Sequence, residues 1–534
     1  MEKEKKVIIG IVTLVLLVSA ASIPSVLSHS SKKAQPAINF SSDYTQDLIK
    51  EKVTGNWIHS YKTNPSNNIN MATLGTDIQV SPFLENDAHP AIAIDGDGNP
   101  FIAYDHETED LYNELYFQRS FDKGNTWPED EIVYIGSEEI SPIKPTFDIT
   151  ADGTRGLATF ENDLGEPVLY FMDAIDINDY STWALYYFDM SGGTPFVLGT
   201  AIAAYGTNTG ILACIRDVTS SSSGETFEEK CSVLWTNDLD GDTWNNVFWG
   251  IEAPMSHPDV AAGGDRIYAA CEVNDVDRTS ILTMYAPYDT PDYSGWSGSQ
   301  IVRGSSNLTN PQLAISGTNR YCVVENDISG NKDILCYRQT GSMWRRYTVA
   351  DTPEDETSPA ITAEGDTVAV TFIKNGNLYI STSEDKGSTW SEPMQVNDQE
   401  GSVVEGHRTT DMKGPYMLWT DNQNDNNDIY FDIRTAPLVG ISAVSGGFGV
   451  KATIENTGTA DATDVEWSLA VDAPLLLIGG EANGTISNLP AGDSETISSG
   501  LLLGIGKGTI TATADDANVA ASGFVFGPLV LNVQ

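Results

Sequence analysis

The octapeptides Ser120-Phe121-Asp122-Lys123-Gly124-Asn125-Thr126-Trp127 and Ser383-Glu384-Asp385-Lys386-Gly387-Ser388-Thr389-Trp390 share the pattern S-x-D-x-G-x-T-W. In such a turn the Asp can accept backbone N–H bonds, the Gly permits positive φ, and the Trp can wedge between sheets. A degenerate third copy has Leu239 where the Asp would stand. We therefore expect the shared positions to be structural: Ser120, Asp122, Gly124, Thr126, Trp127, Gly241, Thr243, Trp244, Ser383, Asp385, Gly387, Thr389 and Trp390.

Tryptophans extend this spacing along the chain and mark a repeat of about 40–50 residues, the length of a propeller blade. Each repeat opens with an alternating apolar and polar run, often at Pro, and passes through a Gly- or Asp-rich turn into a second β-type run. An acidic or amide-rich loop, a third run, the Trp turn and a short fourth run complete it. Four short antiparallel strands per repeat indicate blades. The markers are Trp127, Trp183, Trp244, Trp296, Trp344 and Trp390.

The last repeat is incomplete. It starts near His407-Arg408 and has no fourth run before the composition changes. Thr76–Val80, just before the first repeat, can supply the missing strand, and closing the ring with strands from both ends of the chain would protect the sheet edges. The sequence therefore predicts an all-β fold with a seven-bladed β-propeller over residues 74–436, and six or eight blades are the alternatives.

The flanking segments predict export and a second domain. Residues 1–27 contain a short basic start and then an apolar run, which is either a cleaved signal peptide or an N-terminal membrane anchor. Both predict a protein that is secreted or anchored at the outer face of the cell membrane or cell envelope. We expect a polar linker over residues 28–73 and an Ig-like β-sandwich of roughly seven short strands over residues 437–534.

The chain is strongly acidic. Asp and Glu number 75 against 29 Lys and Arg, which gives a formal net charge of −46. Nucleic acid is excluded as an expected partner, because its binding needs a basic footprint. Anionic lipid headgroups would also be repelled, so a membrane contact is expected only through the N-terminal segment. Such a charge suits divalent cations or cationic partners, besides serving solubility.

Over residues 74–436 the chain resembles the sialidase-like propellers built from BNR repeats, in which the octapeptide is known as the Asp-box. The segment Thr420–Tyr430 has the same look, with an acidic strand end followed by an amide-rich loop. The segment Ile454–Ala460 is similar to the CARDB-type adhesion domains of prokaryotic, often archaeal, surface proteins. The first resemblance implies a site on the face that holds the second-to-third loops and the starts of the first strands, here called the upper face.

Histidines and carboxylates fall at repeat positions that would converge on this upper face. Such a ring can hold a divalent cation: carboxylates favour calcium or magnesium, and histidines shift the preference toward zinc or manganese. The alternative is a polar rim in which each carboxylate hydrogen-bonds neighbouring backbone. The candidate binding residues are His89, His257, His407, Asp105, Glu161, Asp217, Glu272, Glu325, Asp421 and Arg408.

Cysteines and N-x-S/T sequons bear on the predicted export. Cys214 and Cys231 fall on the predicted second and third strands of one blade, and Cys322 and Cys336 do the same two blades later. We expect the disulfides Cys214–Cys231 and Cys322–Cys336 with Cys271 left over, and five buried thiols are the alternative. The candidate glycosylation sites are Asn39, Asn307 and Asn483.

The catalytic pattern of the resembled family is incomplete. Sialidase chemistry, as the resemblance implies, needs an arginine triad, an F/Y-R-I-P arginine, an Asp acid/base and a Tyr nucleophile paired with Glu. No F/Y-R-I-P segment occurs in the sequence. The sequence therefore favours a non-catalytic binding or adhesion module for a glycan, another cell-surface protein or a cation. A secreted glycoside hydrolase or lyase of sialidase-like fold is the alternative, and an upper-face arginine cluster beside a Tyr–Glu pair would favour it.

Overall fold

The structure is a computed structural model. It describes residues 48–53, 58–61 and 77–533, except 82, 84, 111, 129–131, 138–139, 165–167, 190–196, 220–226, 250–252, 264–265, 276–277, 289–294, 303–306, 329, 342, 435–438, 457–461, 491 and 515–516. The chain divides into two compact units, one reaching Asp432 and the other beginning at Ile433. The predicted signal peptide or anchor, the sequon at Asn39 and the predicted boundary at residues 436/437 lie outside the described residues.

The described residues of the first unit form seven antiparallel sheets, which we number in chain order. Four short strands come first: β1 (Leu48–Ile49), β2 (Glu51–Lys52), β3 (Ile58–Tyr61) and β4 (Ile78–Gln79). Sheet 1 contains β5 (Asp87–Ile94), β6 (Pro100–Glu107), β7 (Asn113–Arg119) and β8 (Ile132–Ile135). Sheet 2 contains β9 (Pro142–Ile149), β10 (Gly156–Asn162), β11 (Val168–Ala174) and, after a 3-10 turn at Tyr180–Thr182, β12 (Trp183–Asp189). Sheet 3 contains β13 (Val197–Tyr205), β14 (Thr209–Thr219), β15 (Phe227–Thr236) and β16 (Thr243–Trp249).

The remaining four sheets repeat this pattern. Sheet 4 contains β17 (Met255–Gly263), β18 (Arg266–Asp275), β19 (Arg278–Pro287) and β20 (Ser297–Ile301). Sheet 5 contains β21 (Asn307–Ser316), β22 (Asn319–Ile328), β23 (Asn331–Thr340) and β24 (Met343–Ala350). Sheet 6 contains β25 (Glu356–Glu364), β26 (Thr367–Lys374), β27 (Asn377–Ser383) and β28 (Met394–Gln395). Sheet 7 contains β29 (Thr410–Lys413), β30 (Tyr416–Asp421) and β31 (Asp428–Ile433), with β4 as its fourth strand.

The sheets are arranged in a ring. The first strand of each sheet contacts the first strand of the next, and β29 of sheet 7 returns to β5 of sheet 1. Large aromatic side chains fill the spaces between sheets; Trp127 of sheet 1, for example, packs edge-on against Phe431 of sheet 7 with ring centroids 5.0 Å apart. This radial arrangement of four-stranded units is that of a β-propeller.

The ring is closed by a strand from the beginning of the chain. Gln79 pairs with Tyr430, and Ile78 pairs with Phe431. The Val80 backbone N–H extends the ladder by donating to the Ile429 carbonyl at 2.8 Å. The predicted closing strand in residues 76–80 is therefore confirmed, and the outer edge of β31 is paired.

The polar linker predicted over residues 28–73 is wrong for β1, β2 and β3. These strands pair with β16, β12 and β8, the outermost strands of sheets 3, 2 and 1, and give each of those sheets a fifth strand. Between β1 and β2, Lys50 is buried, and its Nζ donates to the Leu239 carbonyl at 2.9 Å. Pairing satisfies backbone groups that an open sheet edge leaves exposed, which explains why a polar segment follows the outer rim.

The octapeptides are hairpin turns between the third and fourth strands of sheets 1 and 6. In the first, Asp122 accepts the Thr126 N–H at 2.8 Å and the Thr126 hydroxyl at 2.7 Å, while the Ser120 hydroxyl accepts the Gly124 N–H at 2.8 Å. The second has the same bonds from Thr389 to Asp385 and from Gly387 to Ser383. In both turns the Asp carboxylate and the Ser hydroxyl thus hydrogen-bond groups of their own turn.

The two predicted disulfides are not formed. In sheet 3, Cys214 lies opposite Ser232, and Cys231 lies opposite Ile215. In sheet 5, Cys322 lies opposite Tyr337, and Cys336 lies opposite Val323. Each predicted pair is thus offset by one residue, and because side chains alternate across a sheet, the two sulfurs point to opposite faces. All five cysteines are buried, which matches the alternative of buried thiols.

The second unit has two sheets around a core of its own. The strands are β32 (Val439–Ser445), β33 (Gly447–Phe448), β34 (Lys451–Asn456), β35 (Ala462–Asp472), β36 (Leu475–Ile478), β37 (Glu481–Leu489), β38 (Ser494–Ser498), β39 (Leu503–Ala514), β40 (Ala517–Gly527) and β41 (Leu529–Leu531). The order β32-β34-β38 forms the smaller sheet, and β33-β41-β40-β39-β35-β37 with β36 beside β39 forms the larger one. Side chains of both sheets, such as Ile454, Leu469 and Val525, share one apolar cluster.

In the part of the chain that the structure describes, no helix has the length and apolar character needed to traverse a lipid bilayer.

Candidate functional site

The first strands of five sheets carry a bulge whose central residue has a left-handed backbone. In sheet 1, Ala88 pairs with Asp105 and Ala91 with Ala103, so two residues oppose one. Sheets 2, 4, 5 and 6 show the same shift in register. In all five the left-handed residue precedes a proline; they are His89 (φ 50°), Lys144 (φ 48°), His257 (φ 48°), Asn310 (φ 53°) and Ser358 (φ 52°). Sheet 7 has Arg408 (φ 59°) at the corresponding place.

This backbone conformation is unfavourable, so other interactions must stabilise it. A left-handed backbone costs a residue other than Gly about 1–2 kcal/mol, and a following Pro further restricts the backbone. Strained residues of this kind persist where the surroundings over-determine them, often at functional sites.

Carboxylates at the ends of the second strands supply that restraint across the sheets. Asp105 of sheet 1 accepts the Lys144 N–H of sheet 2 at 3.1 Å. In the same way Glu325 of sheet 5 accepts the Ser358 N–H of sheet 6 at 2.9 Å, and Glu272 of sheet 4 accepts the Asn310 N–H of sheet 5. A hydrogen bond to a charged group contributes about 1.5–3 kcal/mol, enough to offset the backbone cost.

The same carboxylates also bind the bulge side chain of their own sheet. His89 Nδ1 lies 2.9 Å from Asp105 Oδ1, and Lys144 Nζ lies 3.3 Å from Glu161 Oε2. His257 Nδ1 lies 2.7 Å from Glu272 Oε1 without hydrogen-bond geometry. The polar-rim alternative therefore describes Asp105, Glu272 and Glu325, which hydrogen-bond backbone amides of the neighbouring sheets.

The side chains left facing outward are an ammonium and two imidazoles rather than carboxylates. The side chains of His89, Lys144 and His257 are 24%, 31% and 37% exposed, whereas those of Asp105 and Glu272 are 7% and 4% exposed. We call the ring formed by His89, Lys144, His257, Asn310, Ser358 and His407 the axial mouth. Its floor of carboxylates is covered by cationic, imidazole and amide groups.

His407 and Arg408 cross the axis and narrow the mouth. The His407 ring lies 4.1 Å from the His257 ring, although their sheets are not neighbours. Arg408 Nε donates to His407 Nε2 at 3.2 Å, so the proton of this imidazole sits on Nδ1, which donates to Asn310 Oδ1 at 2.9 Å. Burial, together with the nearby Arg408 guanidinium, holds the pKa of His407 well below its ordinary value, so this ring is neutral.

The Arg408 side chain fills the centre of the ring below the mouth, and we call it the plug. It is buried, and its Nη2 donates to the carbonyls of Thr200 at 2.7 Å and Pro258 at 2.9 Å, which belong to sheets 3 and 4. Arg408, predicted on the upper face, lies at the axis, where its guanidinium joins sheet 7 to sheets 3 and 4. It is not an exposed anion-binding group.

Below the plug lies an axial cavity of about 210 Å³, lined by the first strands of the ring. Its acidic residues form a second layer of ties between sheets: Asp411 accepts the Ile92 N–H at 2.9 Å, and Asp259 accepts the Leu313 N–H at 2.7 Å. Burial raises the pKa of Asp259 to about 7 and that of Asp411 to about 6. Both carboxyls are therefore partly protonated near neutral pH.

Two predicted site residues do not join this arrangement. Asp421 accepts bonds from Ser402 Oγ at 2.9 Å, Trp419 Nε1 at 3.0 Å and the Gln423 N–H at 2.9 Å, which fixes a local turn. Asp217 lies on β14, and its side chain is outside the described set. Among the residues with a described position, no three His, Cys, Asp or Glu side chains are placed to hold a metal ion. The carboxylates predicted to bind a cation are instead bonded to backbone amides and to side chains of the mouth.

The sequence analysis does not predict three residues of the mouth: Lys144, Asn310 and Ser358. They differ chemically from the histidines at the same position, so a search for one residue type does not find them. The signal they share is the following proline.

Comparisons with solved structures find matches at low identity. No protein-family profile and no curated protein matches the chain. A Trypanosoma rangeli sialidase is 11% identical, with 92% of this chain and 93% of that chain covered and a TM-score of 0.35. The polysaccharide lyase Uly1 is 10% identical, with 72% and 98% covered and a TM-score of 0.41. For the Hadza microbial sialidase Hz136 the identity is 13%, the coverage 65% of both chains, just under two thirds, and the TM-score 0.34.

Proposed function

We propose that this chain is an extracellular binding protein: a seven-bladed, sialidase-like propeller with an Ig-like, CARDB-like domain, secreted or anchored at the outer face of the cell. Its axial mouth binds a carboxylated glycan. The observation that carries this proposal is the exposure of His89, Lys144 and His257 over carboxylates that are already bonded.

The charge of the chain supports an anionic ligand at this place. With a net charge of −46, most of the surface repels anions. At the mouth the accessible groups are instead the Lys144 ammonium and two imidazole rings, and Lys332 adds an ammonium 2.9 Å from Glu325 Oε2. A sugar carboxylate can therefore be recognised by charge-assisted bonds from Lys144 and Lys332, while the sugar hydroxyls can donate to the imidazoles and bond the polar rim.

One arginine at the mouth supports binding rather than sialoside hydrolysis. Arg408 is buried and donates to the backbone carbonyls of Thr200 and Pro258. Its guanidinium is therefore already bonded to the protein and is not presented to a sugar carboxylate.

A second candidate, a glycan lyase, is favoured by one specific contact. Because Asp105 accepts from His89 Nδ1, the other ring nitrogen, Nε2, is the basic one. A base in this position can remove the proton α to a uronate carboxylate while the glycosidic oxygen leaves, which is a β-elimination. This candidate uses the same mouth and the same ligand class.

Titration calorimetry with matched acidic and neutral oligosaccharides tests the proposal. We expect wild type to bind the acidic series only, and Lys144→Ala to weaken binding about tenfold, the effect of losing one charge-assisted bond. Lys451→Ala, on an exposed position of the second unit, is the matched control and should bind like wild type. Equal binding of neutral and acidic sugars, or no effect of Lys144→Ala, would contradict the proposal.

The same samples separate the two candidates. Release of an unsaturated uronate, detected by its ultraviolet absorbance and lost in His89→Gln, would identify a lyase. Binding without any change in the sugar after long incubation supports the binding module.

A further inference from the structure

The larger sheet of the second unit presents an apolar row to solvent across five strands. Strand pairing joins Phe448 to Leu529, Leu529 to Phe526, Phe526 to Ile505 and Ile505 to Leu475. Because paired residues of antiparallel strands lie on the same face, these five side chains form one continuous line, which we call the apolar row. Phe448 is 76% exposed and Phe526 is 58% exposed.

The row is not the core-facing side of the sheet. Val525 and Val530, which alternate with row residues along β40 and β41, are buried in the core of the unit. Strand β40 is therefore apolar on both faces in this region, whereas a sheet with one solvated face normally alternates apolar and polar residues. Further exposed apolar side chains lie on the same strands or directly beside them: Phe524, Leu531, Leu477, Ile478 and Leu501.

The extent of this surface is that of a protein interface. Phe side chains have roughly 150–250 Å² to bury and Leu and Ile less, so nine or so half-exposed residues offer on the order of 800 Å². That is about what one partner contributes to a standard interface, and it exceeds the apolar patches of typical monomers.

We propose that the apolar row is the face through which two copies of this chain dimerise, sheet against sheet. Two chains that each carry a charge of −46 repel one another, and this repulsion is weakest between faces without carboxylates. The row meets that condition: its five members are uncharged, and Lys507, opposite Phe524, is the charge next to it. A flat line of side chains is also its own complement under two-fold symmetry, and packed sheets lie about 10 Å apart.

A lipid surface fits the row less well. Membrane-binding surfaces that carry apolar residues commonly combine them with several basic groups. Lys507 is the only basic residue on the five strands of the row that the structure describes. The strongly negative chain would also be repelled by anionic headgroups.

Sedimentation of the full chain over a range of concentrations tests the dimer. We expect wild type to dimerise reversibly, and Phe526→Ser and Phe448→Ser each to raise the dimer dissociation constant at least tenfold. Met343→Ser is the matched control, because Met343 is 64% exposed in the first unit. Unchanged thermal unfolding of the variants would show that they fold, as expected for residues that lie outside the core.

Three results would overturn the proposal. These are a wild type that stays monomeric at every concentration, a dimer that both serine variants retain, and a monomeric wild type that binds phosphatidylcholine vesicles through Phe448 and Phe526. The last result would assign the face to lipid.

Discussion

The carboxylate of Asp385 shows at the scale of one residue how an octapeptide turn is held. The Thr389 N–H and the hydroxyls of Ser383 and Thr389 lower its pKa to about 2. A depressed pKa means that the ionised form favours folding, and this contribution is present above the unfolded pKa of about 3.9 and lost as the pH falls through about 2.

We therefore expect Asp385→Asn to be less stable than wild type above about pH 4, with a difference that shrinks toward pH 2. Denaturant unfolding across this range measures it. Glu400→Gln, on an exposed position, should track wild type at each pH. A difference between Asp385→Asn and wild type that does not depend on pH would contradict the assigned role of the charge.

Single residues also show why only part of the site follows from the sequence. The repeat predicts His89, His257 and the strand-end carboxylates, because their types and spacing recur. It does not reveal that Asp105, Glu272 and Glu325 each bond the next sheet, since that contact depends on the left-handed backbone before proline. Sequence patterns record residue types, whereas the direction of a side chain at a bulge is set by backbone geometry.

At the scale of elements, Lys50 anchors the outer strands β1 and β2 to the ring. Its Nζ bonds the Leu239 carbonyl and lies 4.5 Å from the centre of the Tyr186 ring, and burial lowers its pKa. We expect Lys50→Ala to reduce the free energy of unfolding by about 1–2 kcal/mol through loss of the bond and the cation–π contact. Lys52→Ala, two residues away and exposed, should have little effect in the same thermal or denaturant unfolding. Equal effects of the two substitutions would argue against the anchoring contact.

Strand register explains which elements the sequence predicts well. The long alternating runs and the closing strand in residues 76–80 are recognisable by their period of two. Strands of two residues, such as β1 and β2, are too short to show any period, so their segment resembles a linker. The disulfide prediction fails for a related reason: Cys214 and Cys231 lie on adjacent strands, but an offset of one residue turns them to opposite faces.

At the scale of the whole molecule, buried acids link stability to pH. Desolvation raises the pKa of Asp77 and Asp259 to about 7 and that of Asp87 and Asp411 to about 6. These groups bind protons more tightly when folded, so stability falls as the pH rises from about 4 to about 7. We expect Asp259→Asn, which keeps an acceptor for the Leu313 N–H, to reduce this fall, and exposed Asp97→Asn to leave it unchanged. Unfolding free energies between pH 4 and 8 measure both, and an Asp259→Asn profile parallel to wild type would contradict the expectation.

The whole-molecule architecture depends on the ring being sealed by the start of the chain, because the axial mouth exists only if sheets 7 and 1 meet. Hydrogen exchange at the Val80 amide, which donates to the Ile429 carbonyl, tests this most directly. We predict that Val80 exchanges as slowly as the amides of β31. Exchange at the rate of an unpaired peptide would show that the ring is not sealed there.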